Sequence, residues 1–187
     1  MNLHLIFEGP ELSGKSYLIS RIYPILEPKH ASSNNILEGC FWINSDIGIL
    51  GTQWGKQIVD KYVEMAEILK EKPILFEKLH ISDKVYGQLF KGEILDYKKT
   101  EERLERMNFK IVFTTFREDL ELIKKRLKER ISLYPHYARI AKPPDFYIKQ
   151  QNLYRQMLKS SSLPILEVDL SDFPPDSYRK VIDWASN

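Results

Sequence analysis

The sequence predicts an α/β fold in which a parallel sheet of about five strands is covered by helices on both faces. Two observations support this prediction. Short apolar runs alternate with longer helical segments along the chain, and a glycine-rich turn follows the first apolar run. At 187 residues the chain is long enough to bury a substantial core, so we expect residues 1–187 to form one domain.

The elements follow one another in regular alternation. Apolar runs that are typical of buried parallel strands lie at residues 3–7, 73–77 and 110–116, and residues 163–170 are predicted to form a further strand. Helical spacing of apolar residues, or a strongly helical composition, predicts helices at 15–26, 52–72, 97–107, 117–131, 146–161 and 175–185. The polar stretch 27–39 and the proline-broken stretch 134–145 are predicted to be loops.

The glycine-rich turn has the spacing of a P-loop. In "FEGPELSGKSY", residues 7–17, four residues separate Gly9 from a Gly-Lys-Ser run that begins at Gly14. Glycines let the backbone curl so that several N–H groups point at phosphate oxygens, and the following helix adds the positive end of its dipole. We therefore predict a nucleotide-binding loop formed by Gly9, Pro10, Glu11, Leu12, Ser13, Gly14, Lys15, Ser16 and Tyr17.

Two side chains of this loop have predicted roles in phosphoryl chemistry. Lys15, expected on an exposed loop, would bring its ammonium group to the outer phosphates, and the Ser16 hydroxyl would be a ligand of Mg²⁺. The alternative is a strand-to-helix turn whose glycines serve only steric needs. Context favours the nucleotide site, with ATP and Mg²⁺ as cofactors, although the motif does not distinguish ATP from GTP.

An acidic residue follows the predicted strand at 73–77. Glu77 stands at the carboxyl end of that strand, where a carboxylate can hold Mg²⁺ or accept a proton from an attacking hydroxyl group. We predict Glu77 as the catalytic base or metal-site carboxylate, with Glu11 and Asp46 as the next candidates. His80, just downstream, is more typical of a packing residue.

The spacing around Glu77 resembles that of thymidylate kinases and the related deoxynucleoside kinases. In thymidylate kinases an acid and an arginine are followed by a serine five residues after the acid and a tyrosine nine after; here these positions hold Glu77, Lys78, Ser82 and Tyr86. An acid two residues after the first P-loop glycine is also frequent, and Glu11 fills that position. The resemblance implies a three-layer P-loop kinase fold and a substrate site at Glu11, Lys78, Ser82 and Tyr86. It also implies a possible homodimer.

The sequence departs from the family pattern in ways that concern the acceptor. Lys78 replaces an arginine and lacks its planar fork, and no arginine lies between Arg21 and Arg103. Thymidylate kinases usually carry one in the second strand region, which corresponds here to residues 38–56. That stretch offers Trp42 instead, which could stack on a base or pack in the core. Both a nucleoside and a nucleoside monophosphate therefore remain open as acceptor.

A basic helix precedes the proline-broken loop. Arg126 and Arg130 lie four residues apart and share a helical face. The resemblance implies that arginines of this helix and of a lid-like segment around 126–145 reach the transferring phosphoryl group, with Arg139 as a third candidate. The alternative is a solvated charged face with Glu121 and Glu129 as partners.

The prediction is ATP- and Mg²⁺-dependent phosphoryl transfer to a nucleoside or nucleoside monophosphate. Alternatives are an ATP-hydrolysing or nucleotide-switched protein that acts through a partner, and a polynucleotide end kinase. A net charge of +2 gives a nucleic-acid partner little support. The single cysteine, Cys40, and the lack of a long apolar run predict a cytoplasmic protein without a membrane segment.

Overall fold

The computed structural model describes residues 3–27, 39–45 and 48–187. Its centre is a five-stranded, all-parallel sheet, which confirms the predicted fold class. The strands are β1 (His4–Glu8), β2 (Phe41–Asn44), β3 (Ile74–Glu77), β4 (Lys110–Thr115) and β5 (Ile165–Asp169). Most of the loop predicted at 27–39 lies outside the described residues, and so does the candidate base Asp46.

Helices cover both faces of this sheet. They are α1 (Lys15–Leu26), α2 (Gly55–Leu69), α3 (His80–Lys91), α4 (Lys98–Arg106), α5 (Leu120–Leu133), α6 (Pro144–Leu158) and α7 (Ser177–Ser186). Side chains of successive strand residues point to opposite faces, so Leu5 and Phe7 pack with α1 and α7 while Ile6 packs with α2, α3, α4 and α6. Two apolar cores result, one on each side of the sheet.

The strand order brings the carboxyl ends of β1 and β3 together. The order is β2-β3-β1-β4-β5, and Phe7 of β1 is in register with Glu77 of β3. The loop after β1 therefore lies beside the residue that ends β3. The chain continues from β1 to strands on both of its sides, which leaves a crevice at the carboxyl ends of the strands. This is the usual ligand position in an open parallel sheet.

Three segments differ from the prediction. Strand β2 lies outside the apolar runs that predict strands. Helix α3, for which the sequence analysis predicts no element, begins three residues after Glu77, and a 3-10 segment (Pro135–Arg139) lies within the predicted loop. In α3 the buried residues include His80, Ser82 and Asp83, so polar side chains interrupt the apolar spacing that identifies a helix. No helix in the described part of the chain is long and apolar enough to span a bilayer.

Candidate active site

The P-loop connects β1 to α1 in a tight turn that requires its glycines. Gly9 has φ 145°, and a Cβ atom there would lie 2.3 Å from the carbonyl oxygen of Thr114. Gly14 has φ 86°, and a Cβ atom there would lie 2.8 Å from the Phe173 ring. Because L side chains rarely adopt such φ values and no space exists for them, both glycines are dictated by geometry.

The Lys15 side chain turns back into the loop. Its Nζ atom donates hydrogen bonds to the carbonyl oxygens of Gly9 and Pro10, each at 2.7 Å. The expectation that Lys15 is exposed is wrong, because the side chain is buried. Burial, together with the positive charge of Lys78, lowers the pKa of Lys15 to about 7, although Glu77 acts in the opposite direction.

Glu77 is held through both of its carboxylate oxygens. The Ser16 hydroxyl group donates to Oε1 at 2.5 Å, and the indole Nε1–H of Trp42 donates to Oε2 at 3.3 Å. The structure thus brings together the two residues predicted to serve Mg²⁺. An oxygen donor set of one hydroxyl and one carboxylate suits this cation, which usually binds few protein ligands and takes the rest from water and phosphates.

No larger metal cluster accompanies this pair. Within the ranges that the structure describes, no group of three or more His, Cys, Asp or Glu side chains is arranged to hold a metal ion. A Mg²⁺ ion at the Ser16–Glu77 pair would therefore take its remaining ligands from water and nucleotide phosphates.

Lys78 follows Glu77 in an unusual backbone conformation. Its φ is 63°, which is a strained value for a residue other than glycine. Its backbone N–H donates a hydrogen bond to the Phe7 carbonyl oxygen at 2.9 Å. The side chain is buried, and its Nζ atom is 2.7 Å from the hydroxyl oxygen of Tyr86. Lys78 and Tyr86, each predicted as a substrate-binding residue, are thus in direct contact with each other.

A buried polar network missed by the sequence analysis lies behind Lys78. Glu8, fully buried at the end of β1, accepts hydrogen bonds from the backbone N–H groups of Leu79 and Ser82 and from the Ser82 hydroxyl group. The same hydroxyl is 2.8 Å from that of Tyr154. Burial raises the pKa of Glu8 despite these bonds and the nearby His80. A carboxylate at the end of a strand, next to Gly9, was the available signal.

The predicted arginines differ in their surroundings. Arg126 is buried, donates to the carbonyl oxygens of Leu12 at 2.8 Å, Leu170 at 2.5 Å and Ser171 at 2.8 Å, and lies 4.4 Å from the centre of the Phe173 ring. Burial lowers its pKa. The solvated-face alternative is therefore wrong for Arg126.

Arg130 and Arg139 are both exposed. The guanidinium of Arg130 lies 4.7 Å from the Tyr134 ring centre and 5.4 Å from that of Tyr137. Arg139 ends the 3-10 segment. Of the two, only Arg130 borders the cavity described below.

The lid segment, residues 126–145, contacts the P-loop through Glu11. Tyr137 donates a hydrogen bond to the Glu11 carboxylate, and its hydroxyl oxygen is 3.4 Å from that of Tyr147. The backbone N–H of Glu11 donates to Gln150 Oε1 at 3.0 Å. Burial and the Glu11 carboxylate raise the pKa of Tyr137. Gln150, a buried amide on α6, is a second P-loop contact that the sequence did not indicate.

A cavity of about 600 Å³ unites most of these groups. The predicted residues that line it are residues 11–17, Glu77, Lys78, Arg126 and Arg130. Ser82, Tyr86 and Trp42, predicted as substrate contacts, lie outside the lining, as do Gly9 and Pro10. The cavity therefore combines the P-loop, the carboxylate at the end of β3 and lid cations, which is an arrangement suited to binding a polyphosphate and a second group beside it.

Comparison with known proteins identifies the fold of this chain through solved structures. Comparisons with family models and with curated proteins give no match. Among solved structures, the YorR protein of Bacillus subtilis, in complex with phosphorylated GDP, matches with a TM-score of 0.70 and 19% identity over 97% of this chain and 94% of that one. Thymidylate kinase from Candida albicans matches with a TM-score of 0.50 and 14% identity over 99% of this chain and 92% of that one. The chain thus has the fold of thymidylate kinase-like P-loop kinases, as the motifs predict.

Proposed function

We propose that this protein is a kinase that transfers the γ-phosphoryl group of ATP to a nucleoside or a nucleoside monophosphate in the presence of Mg²⁺. The observation that supports this most strongly is the Ser16–Glu77 hydrogen bond of 2.5 Å beside Lys15, in a cavity that the lid also borders. A phosphate-binding loop alone would suit any nucleotide-binding protein. A carboxylate held against it adds a group that can hold Mg²⁺ or accept a proton, as phosphoryl transfer requires.

The donor would occupy the P-loop side of the cavity. The N-terminus of α1 directs backbone N–H groups and the positive end of its dipole toward the bound phosphates. Lys15 would exchange its hydrogen bonds to the carbonyl oxygens of Gly9 and Pro10 for hydrogen bonds to phosphate oxygens. Its ammonium group would then have a negatively charged partner instead of neutral ones. Arg130, which is exposed and lines the same cavity, contacts only tyrosine rings through its guanidinium group among the described residues and would approach the transferring group.

Ser16 and Glu77 would hold the metal. A bound Mg²⁺ supplies positive charge that offsets the negative charge developing on the phosphate oxygens. Glu77 would act through Ser16 and water on this ion, or would take the proton of an attacking hydroxyl group. Both roles require the carboxylate to be held in a fixed orientation, and its two hydrogen-bond donors serve that requirement.

The acceptor would lie near Lys78. Lys78, whose ammonium group is 2.7 Å from the Tyr86 hydroxyl, lines the cavity together with Glu77 and would orient the acceptor. The YorR protein was solved with phosphorylated GDP, so nucleoside diphosphates are included among the acceptors to be tested.

The test is a panel assay. The protein is incubated with Mg²⁺ and either ATP or GTP as donor. Single nucleosides, nucleoside mono- and diphosphates or short oligonucleotides are added as acceptors, and the ADP or GDP formed from the donor is followed. We expect one acceptor class to accelerate turnover at least tenfold over the acceptor-free rate. Slow hydrolysis that no acceptor accelerates would contradict the proposal.

Two variants make the assay specific to this site. Lys15→Ala should abolish transfer. Glu77→Gln should retain nucleotide binding but lower turnover by about 10²-fold or more, as expected for the loss of a general base. Glu64→Gln, an exposed residue of α2, is the matched control and should behave as wild type.

A further inference from the structure

We propose that Trp42 is a positioning residue that fixes the Glu77 carboxylate for the metal, rather than a platform on which a base stacks. This inference rests on the proposed function. The observation behind it is that the Trp42 indole N–H and the Ser16 hydroxyl group bind opposite oxygens of the same carboxylate. Trp42 itself lies outside the cavity lining.

The sheet places Trp42 for this contact. Asn44 of β2 is in register with Glu77, and Trp42 is two residues earlier, so both side chains lie on the sheet face toward which Glu77 points. On that face the indole ring is 5.9 Å from the ring of Tyr23 on α1. Trp42 therefore packs against α1, the same helix whose first residues are Lys15 and Ser16.

The chemistry of the indole group suits the task. Its N–H can donate a hydrogen bond but cannot accept one, and it carries no charge at any ordinary pH. A lysine or arginine in its place would also fix the carboxylate but would cancel part of the negative charge that a cation meets. Trp42 orients Glu77 without that loss.

Ser16 completes the arrangement. A hydroxyl group can donate its proton to Glu77 and at the same time present an oxygen lone pair to a cation. If Glu77 is fixed by Trp42, it fixes the direction of the Ser16 proton and so the direction of that lone pair. The three residues then form one chain in which Trp42 acts on the metal site only through Glu77.

The first test uses Trp42→Phe, which keeps the ring and removes the N–H. Binding of Mg²⁺ to protein saturated with a non-hydrolysable ATP analogue is measured by isothermal titration calorimetry. We expect the apparent Mg²⁺ affinity to fall about tenfold, the lower end of the effect of removing an outer-shell partner, while the nucleotide affinity without metal stays the same. Trp54→Phe, an exposed tryptophan at the start of α2, is the control and should leave both affinities unchanged.

The second test is spectroscopic. Tryptophan fluorescence of the wild type is followed as Mg²⁺ is added to the nucleotide-saturated protein, and the same titration is made with Trp42→Phe. We expect a Mg²⁺-dependent change in the wild type that is absent in Trp42→Phe, retained in Trp54→Phe and lost in Ser16→Ala. A base-stacking role would instead give a signal on addition of nucleotide or acceptor alone.

The outcomes separate this inference from the proposed function. If the wild type binds the nucleotide and Mg²⁺ but Trp42→Phe binds Mg²⁺ as tightly as Trp54→Phe does, the positioning role is wrong and the kinase proposal stands. If the wild type binds no nucleotide, the proposed function fails first. Circular dichroism of Trp42→Phe shows whether the variant is folded. If it is not folded, the comparison of Trp54→Phe with Ser16→Ala still tests the inference, because we expect a Mg²⁺-dependent signal that is retained in the first and lost in the second.

Discussion

The Tyr137 hydroxyl group donates a hydrogen bond to the Glu11 carboxylate and so ties the lid segment to the P-loop. The ring of Tyr137 is buried, with its hydroxyl 3.4 Å from that of Tyr147 and the Arg130 guanidinium 5.4 Å from the ring centre. Since the bond joins two elements that would both surround a nucleotide, its strength bears directly on how freely the lid opens.

Tyr137→Phe should loosen the lid. A hydrogen bond to a charged group contributes about 1.5–3 kcal/mol, so local opening should become about tenfold more frequent or more. The readout is hydrogen exchange of the Ile140 and Ala141 amides, which both donate to the Tyr137 carbonyl oxygen. Exchange equal to that of wild type would show that the bond does not restrain the lid.

The control for this experiment is Tyr134→Phe. The Tyr134 ring is exposed, and its hydroxyl group has no hydrogen-bond partner in the described part of the chain. This variant loses the same atom from the same lid and should exchange as wild type does.

Nucleotide binding should be accompanied by proton uptake. With a pKa of about 7, Lys15 is largely neutral in the unliganded protein at pH 8.5. Phosphate oxygens beside its Nζ atom would favour the charged form and raise that pKa, so a proton is taken up on binding. Calorimetry at pH 8.5 in two buffers of different ionisation enthalpy should show uptake approaching about one proton per nucleotide bound.

Lys15→Arg is the comparison that isolates this proton. Arginine stays protonated throughout this pH range, so any binding that the variant retains should proceed without uptake. Equal uptake by the two proteins would assign the proton to another group.

Replacement of Arg126 by methionine should mainly lower the stability of the protein, whereas the same replacement of Arg130 should mainly lower turnover. Arg126→Met removes three hydrogen bonds to backbone carbonyl groups and should lower the free energy of unfolding by about 2–4 kcal/mol. Arg130→Met alters an exposed side chain and should change it by less than about 0.5 kcal/mol while reducing turnover. Urea unfolding and the phosphoryl-transfer assay measure the two effects; a larger loss of stability for Arg130→Met would contradict the assignment.

The sequence predicted those features that depend on local pattern. The strands β1, β3, β4 and β5 and the P-loop are encoded in continuous runs, and Glu77 could be identified because it ends one of those runs. Ser16 and Glu77 were each predicted as metal ligands in this way, whereas the bond between them, 61 residues apart, depends on the strand order and is seen only in the structure.

The remaining features depend on contacts between distant segments. Nothing local shows that Arg126 binds the carbonyl groups of Leu170 and Ser171, or that Trp42 reaches Glu77. Helix α3 is hidden for a related reason: its polar residues are buried against other polar groups, as with Ser82 and Glu8, so apolar periodicity is lost. Such networks become visible only once the chain is folded.

The stability of the fold should fall above pH 10 because of Tyr97. Its hydroxyl group donates to Asp83 Oδ2 at 2.5 Å, while Oδ1 accepts from the Gly51 backbone N–H at 2.6 Å. Burial and the Asp83 carboxylate raise the pKa of Tyr97, so it stays neutral in the folded state when an unfolded tyrosine, with a pKa of about 10, has ionised. The unfolded state then binds fewer protons, and stability declines as pH rises, by up to about 1.4 kcal/mol per pH unit for this group.

Tyr97→Phe separates this contribution from those of other groups. Below pH 9 the variant should be less stable than wild type, because Asp83 loses a hydrogen-bond donor in a buried site. Above pH 10 the difference should narrow, since phenylalanine has no proton to lose. Urea unfolding at pH 8, 9, 10 and 11 measures the difference directly. Parallel decline of the two proteins would mean that Tyr97 ionises as readily in the folded chain as in the unfolded one.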